Sequence, residues 1–499
     1  MEVEQPISPT EHKRDKSKKR KKDKTKEMPA RSNTGILIKK STMIIQNLRD
    51  LEEEYDIGDK LGSGSYGIVK SCIHKTTNQE RAVKIIEKKK IKNMAQFRTE
   101  IKILQTLDHP NVIKMFEFFE DDVNIYLVLE KCEGGELFDR VIEKEFFSEK
   151  EAAVVFKQIL QAINYCHNNG VCHRDLKPEN FIFATKESDS DIKIIDFGLS
   201  KIFDPTTQGY ALMKTGCGTP YYISPEVLTH NYNHMCDMWS AGCILYVLLC
   251  GYPPFFGDDD REIIEAVRVG EFDFDGEEWE DVSLEAKDLI SRLICKPEVR
   301  LTASEALKHP WVKTLAKNSK KEKLNKMDMV HLKKFQSHQK MKQAAITFIA
   351  TQVSSKDIDH LKKVFESIDK NGDGNITLKE LKDGLKDVKN KEELMAIMEG
   401  ADTDGSGTIN YTEFIAATME QNMYLKEENL RNAFRMFDKD GSGKISIEEM
   451  KQALGGEEGA DQPVDESEWE NLIQEVDIDG DGEIDFEEFI SMMRKHLQN

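Results

Sequence analysis

Apolar residues change their spacing twice along this chain. From Tyr55 onward, short β-branched runs (YDIGDKLGSGSYGIVKSCIHK, RAVKII and IYLVLE) are separated by turn residues and predict the strands of a small sheet. After Glu136 the apolar period lengthens to three and four residues. EKEAAVVFKQILQAINYCHNNG then predicts a helix that ends near Gly170. A sheet-rich small lobe, 55–132, and a helical large lobe, 133–311, are expected. Residues 312–353 are Lys-rich and almost without turn residues, which predicts helix. The segment 354–499 repeats helix, twelve-residue acidic loop, helix. Residues 1–50 lack this patterning and read as a disordered basic tail.

At 499 residues the chain is too long for a single core, so two or three domains are expected. It contains no run of about 18 apolar residues, so no transmembrane segment is expected. No apolar stretch follows the first charges, and Glu2 rather than glycine follows Met1. Neither a secretory signal nor N-myristoylation is therefore expected. The nine cysteines are irregularly spaced, odd in number and never in a C-x-x-C pair. They predict free thiols in a reducing compartment: the cytoplasm, with the nucleus as the alternative. The net charge of −20 is segregated, because Lys13–Glu27 holds ten basic and three acidic residues while the C-terminal third is acidic. The basic run is either a solvated tail or a contact for nuclear import or for an anionic membrane. No nucleic-acid partner is expected, and the chain is expected to be a monomer.

Three stretches of the first half carry chemistry. LGSGSYGIV places Gly62, Gly64 and Gly67 between strands, where missing side chains let backbone N–H groups close over phosphate oxygens and Val69 covers an adenine face. No helix follows, which argues against a dinucleotide fold. Lys84, on the apolar strand AVKII, needs a counter-charge, and Glu100 in the helical FRTEIKIL can supply it. CHRDLKPENF then gathers His173, Arg174, Asp175, Lys177 and Asn180, and IIDFGLS follows with Asp196. Each piece alone has an ordinary structural explanation. All of them in order, ending in the SPE of Ser224 to Glu226, resemble the protein-kinase fold across 55–311.

The resemblance implies an ATP site along Leu61, Gly62, Ser63, Gly64, Ser65, Tyr66, Gly67, Ile68 and Val69, with Lys84 on the α- and β-phosphates and Glu100 fixing it. Leu129 at the gatekeeper position, Glu130 and Cys132 of the hinge, and Glu136 complete that site. Asn180 and Asp196 would hold two Mg²⁺ ions, Asp175 would accept the substrate hydroxyl proton, and Lys177 would neutralise the γ-phosphoryl group. Lysine two places after Asp175, and GTPYY at Gly218–Tyr222, are similar to serine/threonine kinases. Glu226 is expected to pair with Arg300. Glu136 either receives an arginine of a basic substrate or serves as a ribose ligand or surface charge. Thr215 is either an activation-loop phosphosite facing Arg174 or an ordinary loop threonine.

The second half repeats one metal-binding pattern, with oxygen ligands at loop positions 1, 3, 5, 7, 9 and 12 and glycine at 6. The first loop offers Asp369, Asn371, Asp373, Asn375, Thr377 and Glu380; the second Asp402, Asp404, Ser406, Thr408, Asn410 and Glu413. The third offers Asp438, Asp440, Ser442, Lys444 through its carbonyl, Ser446 and Glu449; the fourth Asp477, Asp479, Asp481, Glu483, Asp485 and Glu488. Spacings of 33, 36 and 39 residues and an isoleucine at position 8 of every loop predict two EF-hand pairs, each joined by a short strand, and up to four Ca²⁺ ions. At the side-chain ligand positions 1, 3, 5, 9 and 12, loop four has five carboxylates against three in each of the others, so the C-terminal pair is expected to fill first and to hold Mg²⁺ at rest.

Between the halves, Leu332 and Phe335 share one helical face, as do Met341, Ala345, Phe348 and Ile349, with lysines elsewhere. A basic amphipathic helix of this kind suits the groove of a calmodulin-like lobe, and a rigid spacer is the alternative. Kinase, basic junction and four EF-hands in one chain resemble the calcium-dependent protein kinases of plants and protists over 55–499. The fold class expected is α+β: a bilobal kinase followed by an all-α calmodulin-like domain. The resemblance implies that the junction is bound by the EF-hands and occludes the substrate cleft at low calcium, through Lys317, Lys320, Lys321 or Lys323. Moving such a switch from 1:99 to 99:1 takes about 10⁴ in differential affinity. Four sites that each prefer the active arrangement about tenfold supply it.

Overall fold

The computed structural model describes residues 37–499 apart from 45, 65–66, 204–212, 214–218, 317–323, 336–337, 339, 386–387, 389, 455–465 and 496–499. The small lobe is a six-stranded sheet of β1 (Gln46–Asn47), β2 (Tyr55–Gly64), β3 (Gly67–His74), β4 (Glu80–Glu87), β5 (Met115–Glu120) and β6 (Asn124–Glu130), in the order β1-β5-β6-β4-β3-β2. Every pairing is antiparallel except β1 with β5. At Gly67 an added Cβ would stand 1.9 Å from the Ile85 carbonyl oxygen, so only glycine lets β3 approach β4 there. The Met94–Thr106 helix, capped by the Asn93 side chain, buries Phe97, Glu100, Ile101, Ile103 and Leu104.

The large lobe is built round two helices. Glu149–Asn168 starts at a Ser148–Glu151 capping box and ends before Gly170 in the left-handed region, as the apolar period predicts. Met235–Cys250 is buried along its whole length, which fits its nearly continuous apolar sequence. The expected pair is present: Arg300 donates to both Glu226 carboxylate oxygens, at 2.6 and 3.2 Å.

In the calcium half, the position-8 isoleucines pair across two short ribbons, Ile376 with Ile409 and Ile445 with Ile484. The junction is not one continuous helix. Among the described residues it forms Lys326–Phe335 and Lys340–Gln352, with His338 between them. Lys340–Gln352 packs against Tyr411–Thr418 and Glu427–Phe437, and is buried nearly all round rather than on one face. Lys342 is buried with the rest, and its ammonium donates to the carbonyls of Met493 and Lys495.

The tail boundary expected at residue 50 needs correction. Within 37–44 and 46–50, Lys40–Met43 is helical, and β1 adds an edge to the small-lobe sheet. Ile38 and Met43 are buried in the core of the calcium half, and Ile44 in that of the kinase half. These apolar residues, from a segment too short to show a period, bury themselves on two domains at once.

Two histidines make the assembly acid-sensitive. Burial, then Arg81 and Arg435, push His74 down to about 3, and burial and Lys362 do the same to His109. In each ring Nδ1 accepts a backbone N–H, from Thr77 and from Asn111. The folded state therefore keeps both neutral, while the unfolded chain takes up protons below about pH 6.5. The contribution of each ring is full above that pH and is lost as pH falls towards 3, by about 1.4 kcal/mol per unit. The raised Asp369 and Glu413 carboxyls act in the opposite direction over the same window, so the signed observable is a difference. As pH rises from 5 to 7, calorimetry is expected to show a melting temperature that gains less, or loses more, in His109→Gln than in the unmodified chain. Equal slopes would refute the assignment.

Candidate active site and calcium loops

The cleft between the lobes collects the first-half motifs. Lys84 on β4 lies opposite Val69 of β3 and Leu127 of β6, and its Nζ stands 3.7 Å from both Glu100 and Asp196. Burial pushes the Glu100 carboxyl up against the pull of Lys84. Burial also acts upward on Asp196, but the Lys84 ammonium and the Gly198 amide outweigh it and hold that carboxyl below its ordinary range.

Asp175 is held by three donors. Thr219 Oγ1 donates to Oδ1 at 3.2 Å, Lys177 Nζ lies 3.2 Å from Oδ2, and Asn180 Nδ2 donates to Oδ2 at 3.2 Å. The loop that carries it is fixed from behind by buried Asp237, which accepts the amides of His173 and Arg174 at 2.9 and 2.8 Å. Arg174 and Asp196 both adopt positive φ, 70° and 59°, costly for non-glycine residues and tolerated where the surroundings over-determine them. The Arg174 guanidinium donates to the Leu199 carbonyl and to the Tyr232 hydroxyl. Thr215, Ser65, Tyr66 and the four candidate plug lysines lie outside the described residues.

At the hinge, Leu129 pairs with Ala82 of β4. The Glu130 carboxylate turns away from the cleft: Lys193 holds one oxygen at 2.8 Å, and Ser355, from the calcium half, donates to the other at 2.5 Å. Burial and the Glu130 charge push the Cys132 thiol well up, so it is no nucleophile. Leu61 and Ile68 are exposed on the glycine-loop strands. Glu136 precedes the Leu137–Lys144 helix; burial, Asp139 and Glu179 raise its carboxyl, which marks an acidic group of three.

The four acidic loops share one conformation. Their sixth-position glycines, Gly374, Gly407, Gly443 and Gly482, all have left-handed φ between 78° and 88°. Each donates its N–H to the first-position aspartate, at 2.9 to 3.1 Å. The twelfth-position glutamates accept amides from the start of their own loops. Loops two, three and four each bring three carboxylates within 4.8 Å of one another. Burial, with like charge adding to it, pushes Asp369 up to about 7 and Glu413 to about 8. Crowded carboxylates on an oxygen-only cradle suit a hard divalent cation. Lys444 of loop three reaches across the ribbon to pair with Asp481 and Glu483 of loop four, a counter-charge that the ligand tally of loop four omits.

Sequence motifs missed several residues of this constellation. Asp237, Lys193 and Ser355 stand in no recognisable pattern, whereas Thr219, within GTPYY, carried a signal whose partner was not evident.

A bilobal phosphoryl-transfer cleft followed by paired EF-hand loops defines a protein kinase under calcium control. The family model described as the protein kinase domain matches residues 55–312, and that of the EF-hand domain pair matches 358–419 and 427–494. Calcium-dependent protein kinase 3 of Plasmodium berghei (strain Anka) is 45% identical over 457 residues, covering 89% of this chain and 81% of that protein. Calcium-dependent protein kinase 5 of Plasmodium falciparum (isolate 3D7) is 44% identical over 457 residues, 90% and 80% of the two chains. Calcium-dependent protein kinase 7 of Arabidopsis thaliana is 39% identical over 488 residues, 95% and 90% of the two chains.

The chain belongs to the calcium-dependent protein kinase family. It is a calcium-activated serine/threonine kinase; its kinase domain implies ATP and Mg²⁺, and its EF-hands imply Ca²⁺. Among the described residues no helix is long and apolar enough to cross a membrane.

Proposed function

We propose that the junction plugs the substrate cleft at low calcium and leaves it when up to four ions fill the loops. In the cleft, Asp175 accepts the substrate hydroxyl proton while Lys177 and Thr219 hold its carboxylate in place. Lys84, steadied by Glu100, orients the nucleotide phosphates. Asn180 and Asp196 are the oxygen donors for Mg²⁺, which when bound neutralises charge on the phosphates. Glu136, with Asp139 and Glu179 beside it, selects substrates with a basic residue near the phosphorylated hydroxyl. In the absence of calcium one of Lys317, Lys320, Lys321 and Lys323 occupies the place of that basic residue. The remaining proposals concern regulation and location: Thr215 as a phosphosite, a monomeric enzyme, and a cytoplasmic chain whose basic tail meets anionic surfaces.

One observation carries this reading. Both described junction helices are packed into the calcium half, and Lys84, Glu100 and Asp196 stand together in the cleft. The test uses the full chain and a peptide with arginine three places before its serine. Activity is expected to fall at least about 10²-fold in chelator relative to saturating calcium, as a shift from mostly open to mostly plugged requires. Glu136→Gln is expected to erase most of the preference for arginine over alanine. Equal rates in chelator and calcium would overturn the switch.

A further inference from the structure

The four calcium loops have the same backbone, yet they do not have the same surroundings. At Gly407, Gly443, Gly480 and Gly482 an added Cβ would meet nothing within 4 Å, so loops two, three and four present these glycines to open space. Loop one differs. Its glycines Gly372 and Gly374 are buried, and the atoms that cover them belong to the kinase half. An added Cβ on Gly374 would lie 2.4 Å from the Tyr165 ring and 3.0 Å from His109; on Gly372 it would lie 3.0 Å from Gln161 and 3.3 Å from Leu307. Asn164 Nδ2 donates to the Gly372 carbonyl at 3.1 Å, a buried bond between residues 208 positions apart. Tyr165 and His109 stack at 5.1 Å beneath this edge. Beside it, Asp108 of the kinase accepts the Thr412 amide and hydroxyl, at 2.7 and 2.9 Å, one residue before the twelfth-position glutamate of loop two.

We propose that the first calcium site, formed by Asp369, Asn371, Asp373, Asn375, Thr377 and Glu380, is closed along its Gly372–Gly374 edge by the kinase half, so that its ion leaves only when the calcium half lifts off. This rests on the reading of the loops as calcium sites and adds which ion is trapped. The turn over positions 4 to 6 carries the ligand at 5 and follows the one at 3, so these two draw back from the ion only if the turn moves. In loop one that turn is pressed onto the Glu149–Asn168 helix and tied to it by Asn164. The other loops are held less closely: Gly441 of loop three meets only the end of the Arg49 side chain, at 3.6 Å, and loop two is bonded to Ile38 at Thr403, outside its turn. An ion trapped in this way stays bound for as long as the halves remain docked, so site one keeps its calcium for that time after free calcium has fallen.

Stopped-flow mixing of the calcium-loaded full chain with excess fluorescent chelator tests this. One ion in the set is expected to leave at least about tenfold more slowly than the rest. That phase is expected to vanish in Glu380→Gln and to persist in Glu488→Gln. Asn164→Lys, which pushes a longer cation into the contact, is expected to turn the slow phase fast without changing the number of ions released. Asn164→Ala does the same in part, and serves if the lysine variant misfolds. Release of all ions at one rate in the unmodified chain, or a slow phase untouched by both Asn164 variants, would overturn the trapped site. Release of no calcium at all would instead overturn the reading of the loops.

Discussion

Asp175→Asn is expected to lower the turnover number for peptide phosphorylation by about 10²–10⁴-fold, the range for loss of a positioned general base. Both carboxylate oxygens of Asp175 are engaged by donors, Thr219 on one and Lys177 and Asn180 on the other. An amide of the same shape keeps the loop in place, because the anchoring bonds of Asp237 run to the backbone of His173 and Arg174 and not to Asp175. The Michaelis constant for peptide is therefore expected to change little, which separates lost proton acceptance from lost binding. Lys84→Met is expected to be as damaging by another route, since it leaves the buried Glu100 carboxylate without the Lys84 cation. A drop of less than tenfold in Asp175→Asn would remove the aspartate from the role of base.

The second large effect is expected at Asp108, far from any motif. This buried carboxylate pairs with Lys40 at 2.9 Å and takes two hydrogen bonds from Thr412, so one residue ties the N-terminal segment and the calcium half to the kinase. Burial alone would raise its carboxyl, but Lys40 and Thr412 outweigh it and hold it below the ordinary range. The sign follows: the contribution is complete above the unfolded value near pH 4 and is lost only as pH falls below it, so the lock is insensitive to pH between 6 and 8. Removing one member of such a buried pair costs about 3–5 kcal/mol, because the partner is left charged and dry. Asp108→Ala is thus expected to weaken docking of the calcium half by about 10²- to 4 × 10³-fold. This is seen as lower activity at saturating calcium and as a rise in the calcium needed for half-maximal activity that is smaller than this factor, because four ions share the switch. An unchanged calcium titration would show that docking does not use this contact.

Much of this site is written locally. The glycine turn, His173–Asn180, Asp196 and each twelve-residue loop place their chemistry on residues that are neighbours in the chain, and backbone conformation alone brings such residues together. That is why the four position-8 isoleucines, read as strand partners, pair as they do. The junction was legible only in part. Its apolar residues marked a buried face, but a helix enclosed on nearly all sides needs a groove that no single segment describes.

The sequence by itself determined the lobes, the nucleotide and metal chemistry, and the coupling of a kinase to four EF-hands, since all of these rest on short-range spacing. Tertiary structure alone decided how the halves grip each other. Arg81 meets Gln352, Glu130 meets Ser355, Asp191 meets Lys362 and Asp108 meets Thr412 across separations of about 170 to 300 residues. A lone charge or hydroxyl has no period and no motif, so its partner is set by the packing of surfaces and not by any pattern along the chain. The same packing buries the glycine turn of loop one and leaves Gly407, Gly443 and Gly482 uncovered, although the four loops share one ligand pattern.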